Sequence, residues 1–230
     1  MIKINQIATE AQANRIKAIA DCIGVCITKT PMPGMISTET LETIRSAAPG
    51  IPLSVAFNPK EVFTDIEIFN VLDKFSPDYY EFTPVDFLKK TEFDAQIERL
   101  KKIAFKKIAN GYFVQPDETS FLDDERSFKR LEESGVCLFQ FEIQSAVDNE
   151  LMLDSKTMSR IDDLAEKLKI IACDNFSVLK KYPIKNIAGY YFNIEASGQC
   201  SCYDYTDLSF PLSQILRILS KNTFYAISEK

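Results

Sequence analysis

Met1-Ile2-Lys3-Ile4-Asn5-Gln6-Ile7 is a short apolar run that ends in two carboxamides and hands over, near Ala8, to residues with helical spacing. Over residues 8–20, Ala11, Ile16, Ile19 and Ala20 fall on one stripe, and Cys22-Ile23-Gly24-Val25-Cys26-Ile27-Thr28 follows as an unbroken apolar strand. Strands that are apolar throughout, rather than in alternation, belong to parallel sheets covered on both faces. If such strands close into a barrel, Asn5 and Gln6 stand at its carboxyl rim, where (β/α)8 barrels hold their chemistry.

The same handover recurs along the chain. Ser37, Glu39 and Thr40 open a helix that runs to residue 48, and Pro52 to Asn58 forms a third strand that Pro59 ends. Val62, Ile66, Phe69 and Leu72 space a helix over residues 61–75, before a fourth strand at 79–83. A charge-rich helix at 85–102, a strand at 106–114 and a helix at 121–134 come next, then a sixth strand, Val136-Cys137-Leu138-Phe139-Gln140-Phe141-Glu142-Ile143. Residues 144–155 have no clear period and are expected to form a long rim loop. A helix at 156–168, a strand at 169–173, a short helix from Asn175, a strand at 189–196 and a helix at 212–220 complete the series. Eight alternations in 230 residues predict a single-domain (β/α)8 (TIM) barrel. An open doubly wound sheet is the alternative, because periodicity alone does not separate short buried strands from helix segments.

With 46% hydrophobic residues the chain has material for one large core, and its 7 glycines and 10 prolines form no linker. The net charge of -6, from 33 acidic and 27 basic residues interspersed, argues against nucleic acid as a partner. The opening residues lack a signal pattern, and no apolar run approaches the roughly 20 residues that span a bilayer. A cytoplasmic protein, away from membranes, is expected, as monomer or homodimer, with a small-molecule substrate and no cofactor. The chain has no histidine, which excludes His-dependent triads and His-ligated zinc. Its six cysteines are expected to be reduced; a Cys200-x-Cys202 pair near Cys173 and Cys26 is too weak a pattern to assign a metal.

Side chains on a strand alternate faces, so Gln140, Glu142 and Gln144 share one side of strand six and Phe139, Phe141 and Ile143 the other. Glu81 on strand four, and Asn193 with Glu195 on strand eight, oppose aromatic neighbours in the same way. A wet, acidic mouth holding Glu81, Glu142 and Glu195 is therefore expected, able to set one carboxyl as acid beside another as base or to ligate a divalent metal. The plainer alternative is a set of solvated rim charges. All seven arginines fall away from this rim, leaving Lys29 and Lys60 as the nearest expected cations.

Several segments resemble the phosphoribosylanthranilate isomerase family in layout over nearly the full length. KINQIAT is similar to that family's KICGIT-like start, ADCIGVCITKTPMPGMIS to its GADxxGFVFxxxSPRxVS segment, and SVAFNPKEV to its GVFVN strand and loop. PDYYEFT resembles VVQLHG, DNFSVL the NPENV helix start and NIEASG the DVSSG turn. The resemblance implies a barrel isomerase of tryptophan biosynthesis that performs an Amadori-type rearrangement. It places Glu142 at the family's general acid and Ser197-Gly198 at its phosphate-binding turn. It puts Asn5 where the family has its general-base cysteine, and a carboxamide cannot abstract a proton near neutrality. Cys173-Asp174 replaces the family's phosphate-cradling glycine pair, and Met32 and Pro33 stand near its substrate-binding arginine. Cys173 is the candidate replacement base, and Gln6, Glu81, Thr83, Asn193 and Glu195 are the candidate substrate contacts. Three readings follow: a diverged isomerase using carboxylate acid/base chemistry, a non-catalytic binding or structural barrel, and a metal-assisted lyase or isomerase using the three glutamates.

Overall fold

Eight parallel strands follow one another around the molecule in chain order, and the first pairs with the last. They are β1 (Ile2–Asn5), β2 (Cys22–Ile27), β3 (Leu53–Phe57), β4 (Tyr79–Phe82), β5 (Lys106–Phe113), β6 (Val136–Glu142), β7 (Ile170–Cys173) and β8 (Gly189–Ile194). The computed structural model describes residues 1–116, 118–143, 153–173, 184–195 and 209–228. Pairing of Ile2 with Tyr190, continuing to Asn5 with Asn193, seals the ring. The fold is a TIM barrel, and the open-sheet alternative is set aside by this seam.

The helices on the outside are α1 (Glu10–Ile16), α2 (Thr38–Ala47), α3 (Asp65–Phe75), α4 (Lys90–Lys101), α5 (Glu125–Glu133), α6 (Ser155–Lys167) and α7 (Leu212–Ser228). Their starts are written in the sequence. Thr9 with Gln12, and Thr64 with Glu67, form reciprocal capping boxes, while the Asp124 and Asp154 carboxylates accept the amides of Ser127 and Thr157. The outward residues of the strands pack beneath these helices: Tyr80, Phe82, Phe139, Phe141 and Ile143 in one cluster, Ile4, Ile23, Val25, Phe192 and Ile194 in another. The inward face carries a small apolar plug, Ile108, Leu138, Ile171, Cys173 and Tyr191, and, on β2 and β3, Cys26 and Ala56.

Three differences from the periodicity bear on the carboxyl face. Helix α4 starts at Lys90 rather than near residue 85, because the Gln96 side chain receives the Val85 amide (2.8 Å) and donates to the Thr83 carbonyl (2.9 Å), holding the preceding residues as a loop. Strand β8 ends at Ile194, short of Glu195. A ninth strand, β9 (Ser209–Phe210), pairs with Asn193 and Ile194 on the side of β8 opposite β1, above the point where pairing with β7 ends. The short helix expected from Asn175 lies outside the described residues. Among the described residues no helix is long and apolar enough to cross a membrane.

The seam between β1 and β8 depends on Gly189, whose φ is +154° and whose position leaves no room for a Cβ, which would lie 1.9 Å from the Met1 carbonyl oxygen. Gly189→Ala is expected to lower unfolding free energy by at least the roughly 1–3 kcal/mol of a strained backbone; an unchanged urea midpoint would show that the seam does not need the glycine.

Candidate active site at the barrel mouth

Lys3 on β1 and Glu81 on β4 are three strands apart, so their contact can only cross the lumen. Lys3 Nζ lies 2.7 Å from Glu81 Oε2, and the two side chains are 0% and 5% exposed. Glu81 Oε2 also accepts from Ser54 Oγ on β3 (2.9 Å), and Oε1 accepts from Asn110 Nδ2 on β5 (2.8 Å) and Gln140 Nε2 on β6 (3.0 Å). Four donors thus fill one carboxylate, leaving it no lone pair for proton transfer. Lys3 Nζ also donates to Asn5 Oδ1, and Asn5 Nδ2 donates to Asn193 Oδ1 (3.0 Å), which joins β1 to β8 through side chains as well as backbone. Because a lysine is only a donor, this contact fixes which way the Asn5 amide faces.

Small residues make space for this network. A Cβ on Gly24 of β2 would come 2.4 Å from Asn5 Oδ1, so glycine is required there for Asn5 to turn inward. Above the ion pair remains a cavity of about 20 Å³, lined by Asn5, Gln6, Gly24, Val25, Cys26, Ala56, Glu81, Asn110 and Asn193. That is room for about one water. Gln6 reaches it from a left-handed backbone, φ +62°. One acceptor in the lumen is unspent: Gln140 Oε1 is fully buried and has no hydrogen-bond partner.

Asn5, Gln6, Glu81 and Asn193 therefore converge on one cavity, as the strand parity implies. Glu142 also points inward at the end of β6, 3% exposed and in register with Cys173 of β7. Three expectations need correction. Glu195 is exposed, because the strand stops before it and its amide is taken by the Phe210 carbonyl of β9; the acidic trio does not assemble. Glu81 is neither wet nor one of several crowded like charges, being paired with a buried lysine. The nearest cation to the lumen is Lys3: Lys29 is held outside by Glu67 (2.6 Å) and the Val62 carbonyl (2.9 Å), over the Phe63 ring, and Lys60 is exposed.

Thr83 is exposed on the rim just past β4. Cys173 is buried in the apolar plug with Ile171 and Tyr191, surroundings that disfavour a thiolate. Elsewhere in the lumen, at the start of β2, burial pushes the Cys22 thiol up to about 12, opposed by Lys3 and reinforced by Glu81. Ser197, Gly198, Gln144, Asp174, Cys200 and Cys202 lie outside the described residues. Among the described residues no three Cys, Asp or Glu side chains are grouped as metal ligands. Lys3, Ser54 and Asn110 are missed by the sequence reading, although the parity argument used for β4, β6 and β8 finds all three when extended to β1, β3 and β5.

No family model matches the chain, and no curated protein is detectably similar to it in sequence. Among solved structures, it is similar to N-(5'-phosphoribosyl)anthranilate isomerase from Pyrococcus furiosus (TM-score 0.60, 15% identity, 96% of this chain and 98% of that one). It is similar to phosphoribosyl anthranilate isomerase from Thermus thermophilus (0.58, 13%, 96% and 98%) and to 3-dehydroquinate dehydratase from Aquifex aeolicus (0.56, 14%, 96% and 98%). At these identities the likeness establishes the barrel, which is shared by enzymes of different chemistry.

Removing one partner of a buried ion pair leaves the other uncompensated. Lys3→Met is expected to cost about 3–5 kcal/mol, and Lys3→Met with Glu81→Gln distinctly less than Lys3→Met alone. Chemical denaturation measures both, and a double variant at least as destabilised as Lys3→Met would mean that the two charges do not hold each other. Gly24→Ala, by displacing Asn5, is expected to lower stability by about 1–3 kcal/mol, and a wild-type denaturation midpoint would argue against the tight fit.

Proposed function

We propose that this barrel is an isomerase acting on a small sugar-derived substrate at its carboxyl face, with Glu142 as its acid/base group. The observation that supports this is a lumen rich in buried polar side chains, with one acceptor left over. An ion pair and four carboxamides, Asn5, Asn110, Gln140 and Asn193, stand where aliphatic layers would serve stability better, and Gln140 Oε1 is left unpaired. Buried acceptors without partners are costly and cluster where a structure serves something other than stability.

Glu142 is a second inward carboxyl, at the end of β6 and in register with Cys173. With Asn5 unable to take a proton, the economical scheme has Glu142 act twice. Its carboxylic acid first protonates the ring oxygen of an aminoaldose, which opens the ring as the nitrogen lone pair forms the iminium. The resulting carboxylate then removes the C2 proton, giving an enolamine that tautomerises to the aminoketose. Asn5 and Asn193 supply amide contacts for the substrate hydroxyls, and Ser197 with Gly198 would hold a phosphate if the substrate carries one.

The test is turnover of phosphoribosylanthranilate and of its dephosphorylated analogue by the purified protein and by Glu142→Gln. Turnover of either, lowered at least about 100-fold in the variant while the fold is retained, is the expected result. Full activity in Glu142→Gln would remove the role, and no turnover of either compound would sink the isomerase reading. The second reading, a non-catalytic binding or structural barrel, is favoured by the cavity of about 20 Å³ and by the saturation of Glu81. It predicts no turnover and a Glu142→Gln variant that differs from wild type in stability alone.

A further inference from the structure

A second cavity, of about 410 Å³, opens on the carboxyl face between the loop after β4 and the end of β5. That volume lies in the range of sites for small organic molecules, whereas the lumen cavity does not. We infer that it binds a small organic ammonium ion with an apolar body, held by the rings of Phe87, Tyr112, Phe113 and Phe121 and by the carboxylates of Asp86 and Glu118.

Both walls are built. The loop after β4 is fixed by the two Gln96 hydrogen bonds and by its own turn, in which Asp86 Oδ1 accepts the Leu88 amide (2.9 Å) and the Asp86 carbonyl accepts the Lys89 amide (2.9 Å). The other wall is a bulge in β5, where pairing with β6 shifts register between Asn110 and Tyr112. Gly111 sits in the bulge with φ +117°, and a Cβ there would press on Thr83 Cγ2 at 3.3 Å. Asn110 faces the lumen by ordinary alternation from Ile108, and the extra residue after it turns Tyr112 outward, which builds this wall of the side cavity.

The lining decides the ligand class. Tyr112 stacks on Phe121 (5.5 Å, 27°), and Phe87 stands edge-on to Phe128 (5.2 Å, 89°). Aromatic faces attract cations, tyrosine among them. Asp86 and Glu118 are exposed at the edge, and no described residue lining the cavity is basic. Leu88, 83% exposed on the loop, adds apolar surface that the fold leaves uncovered. An anion would be repelled, and a neutral molecule would leave the carboxylates unused. An ammonium group meets both features.

The experiment titrates the full-length protein calorimetrically with benzylammonium and, separately, with benzyl alcohol. It repeats both titrations on the double variant Asp86→Asn with Glu118→Gln. Both positions are exposed, and the amide that replaces the Asp86 carboxylate keeps an oxygen to accept the Leu88 amide, so the fold is retained. Saturable benzylammonium binding is expected, about tenfold or more tighter than benzyl alcohol, weakened about tenfold in the double variant and by added salt. Absence of saturable benzylammonium binding, equal affinity for the alcohol, or indifference to loss of both carboxylates would each overturn the assignment. None of these readouts depends on the isomerase reading of the mouth.

Discussion

The contact between Lys3 and Glu81 organises everything above it. Two opposite charges taken out of water in the middle of a barrel are tolerated only if every remaining hydrogen-bonding position is met. Ser54, Asn110 and Gln140 meet those of the carboxylate, and Asn5 meets one of the ammonium's. The pair thereby fixes residues on β1, β3, β4, β5 and β6 from the inside, while the helices fix them from the outside. It also sets the amide of Asn5, and through it that of Asn193, so the geometry of the mouth follows from a buried pair of charges.

Much of the fold is legible in the residue pattern, because the signals are redundant. The strands carry continuous apolar runs, the helices carry capping residues such as Thr9 and Thr64, and each aromatic in Tyr80, Phe82, Phe139 and Phe141 points outward as parity requires. The errors occur where the redundancy ends. Lys3 in an apolar strand looks like a solvated end; nothing within Ile2-Lys3-Ile4 announces a partner 78 residues away. Alternation puts Glu195 inside only when it is continued past the end of the strand that generates it. Strand β9 has two residues, too short for any period, and the pattern begins α4 early because the hydrogen bonds of Gln96 to Thr83 and Val85 are tertiary facts.

Likeness to isomerases and to a dehydratase at similar TM-scores shows why the barrel alone does not name a reaction. What distinguishes this chain is where its polar groups lie. The family pattern suggested by KINQIAT would put a reactive thiol at the top of β1. Here that position is a carboxamide locked between Lys3 and Asn193, and the thiol of Cys22, at the start of β2 beside Lys3, is held protonated by burial. In the scheme proposed above, acid/base chemistry at such a mouth falls to Glu142, at the end of β6.

The bond from Asn5 to Asn193 joins residues 188 apart in sequence, and the backbone seam beside it spans the same distance. A growing chain delivers β1 first, yet β1 cannot complete its neighbours until β8 has been made. Glu81 lies 78 residues from Lys3, so the ion pair closes a loop less than half as long as the seam does. Loop closure carries an entropy cost that rises only with the logarithm of length, so the longer loop of the seam costs only about 0.8 kcal/mol more to close than the shorter one. The buried charge pair is in this sense a basting stitch, holding the first strand to the fourth from inside the ring.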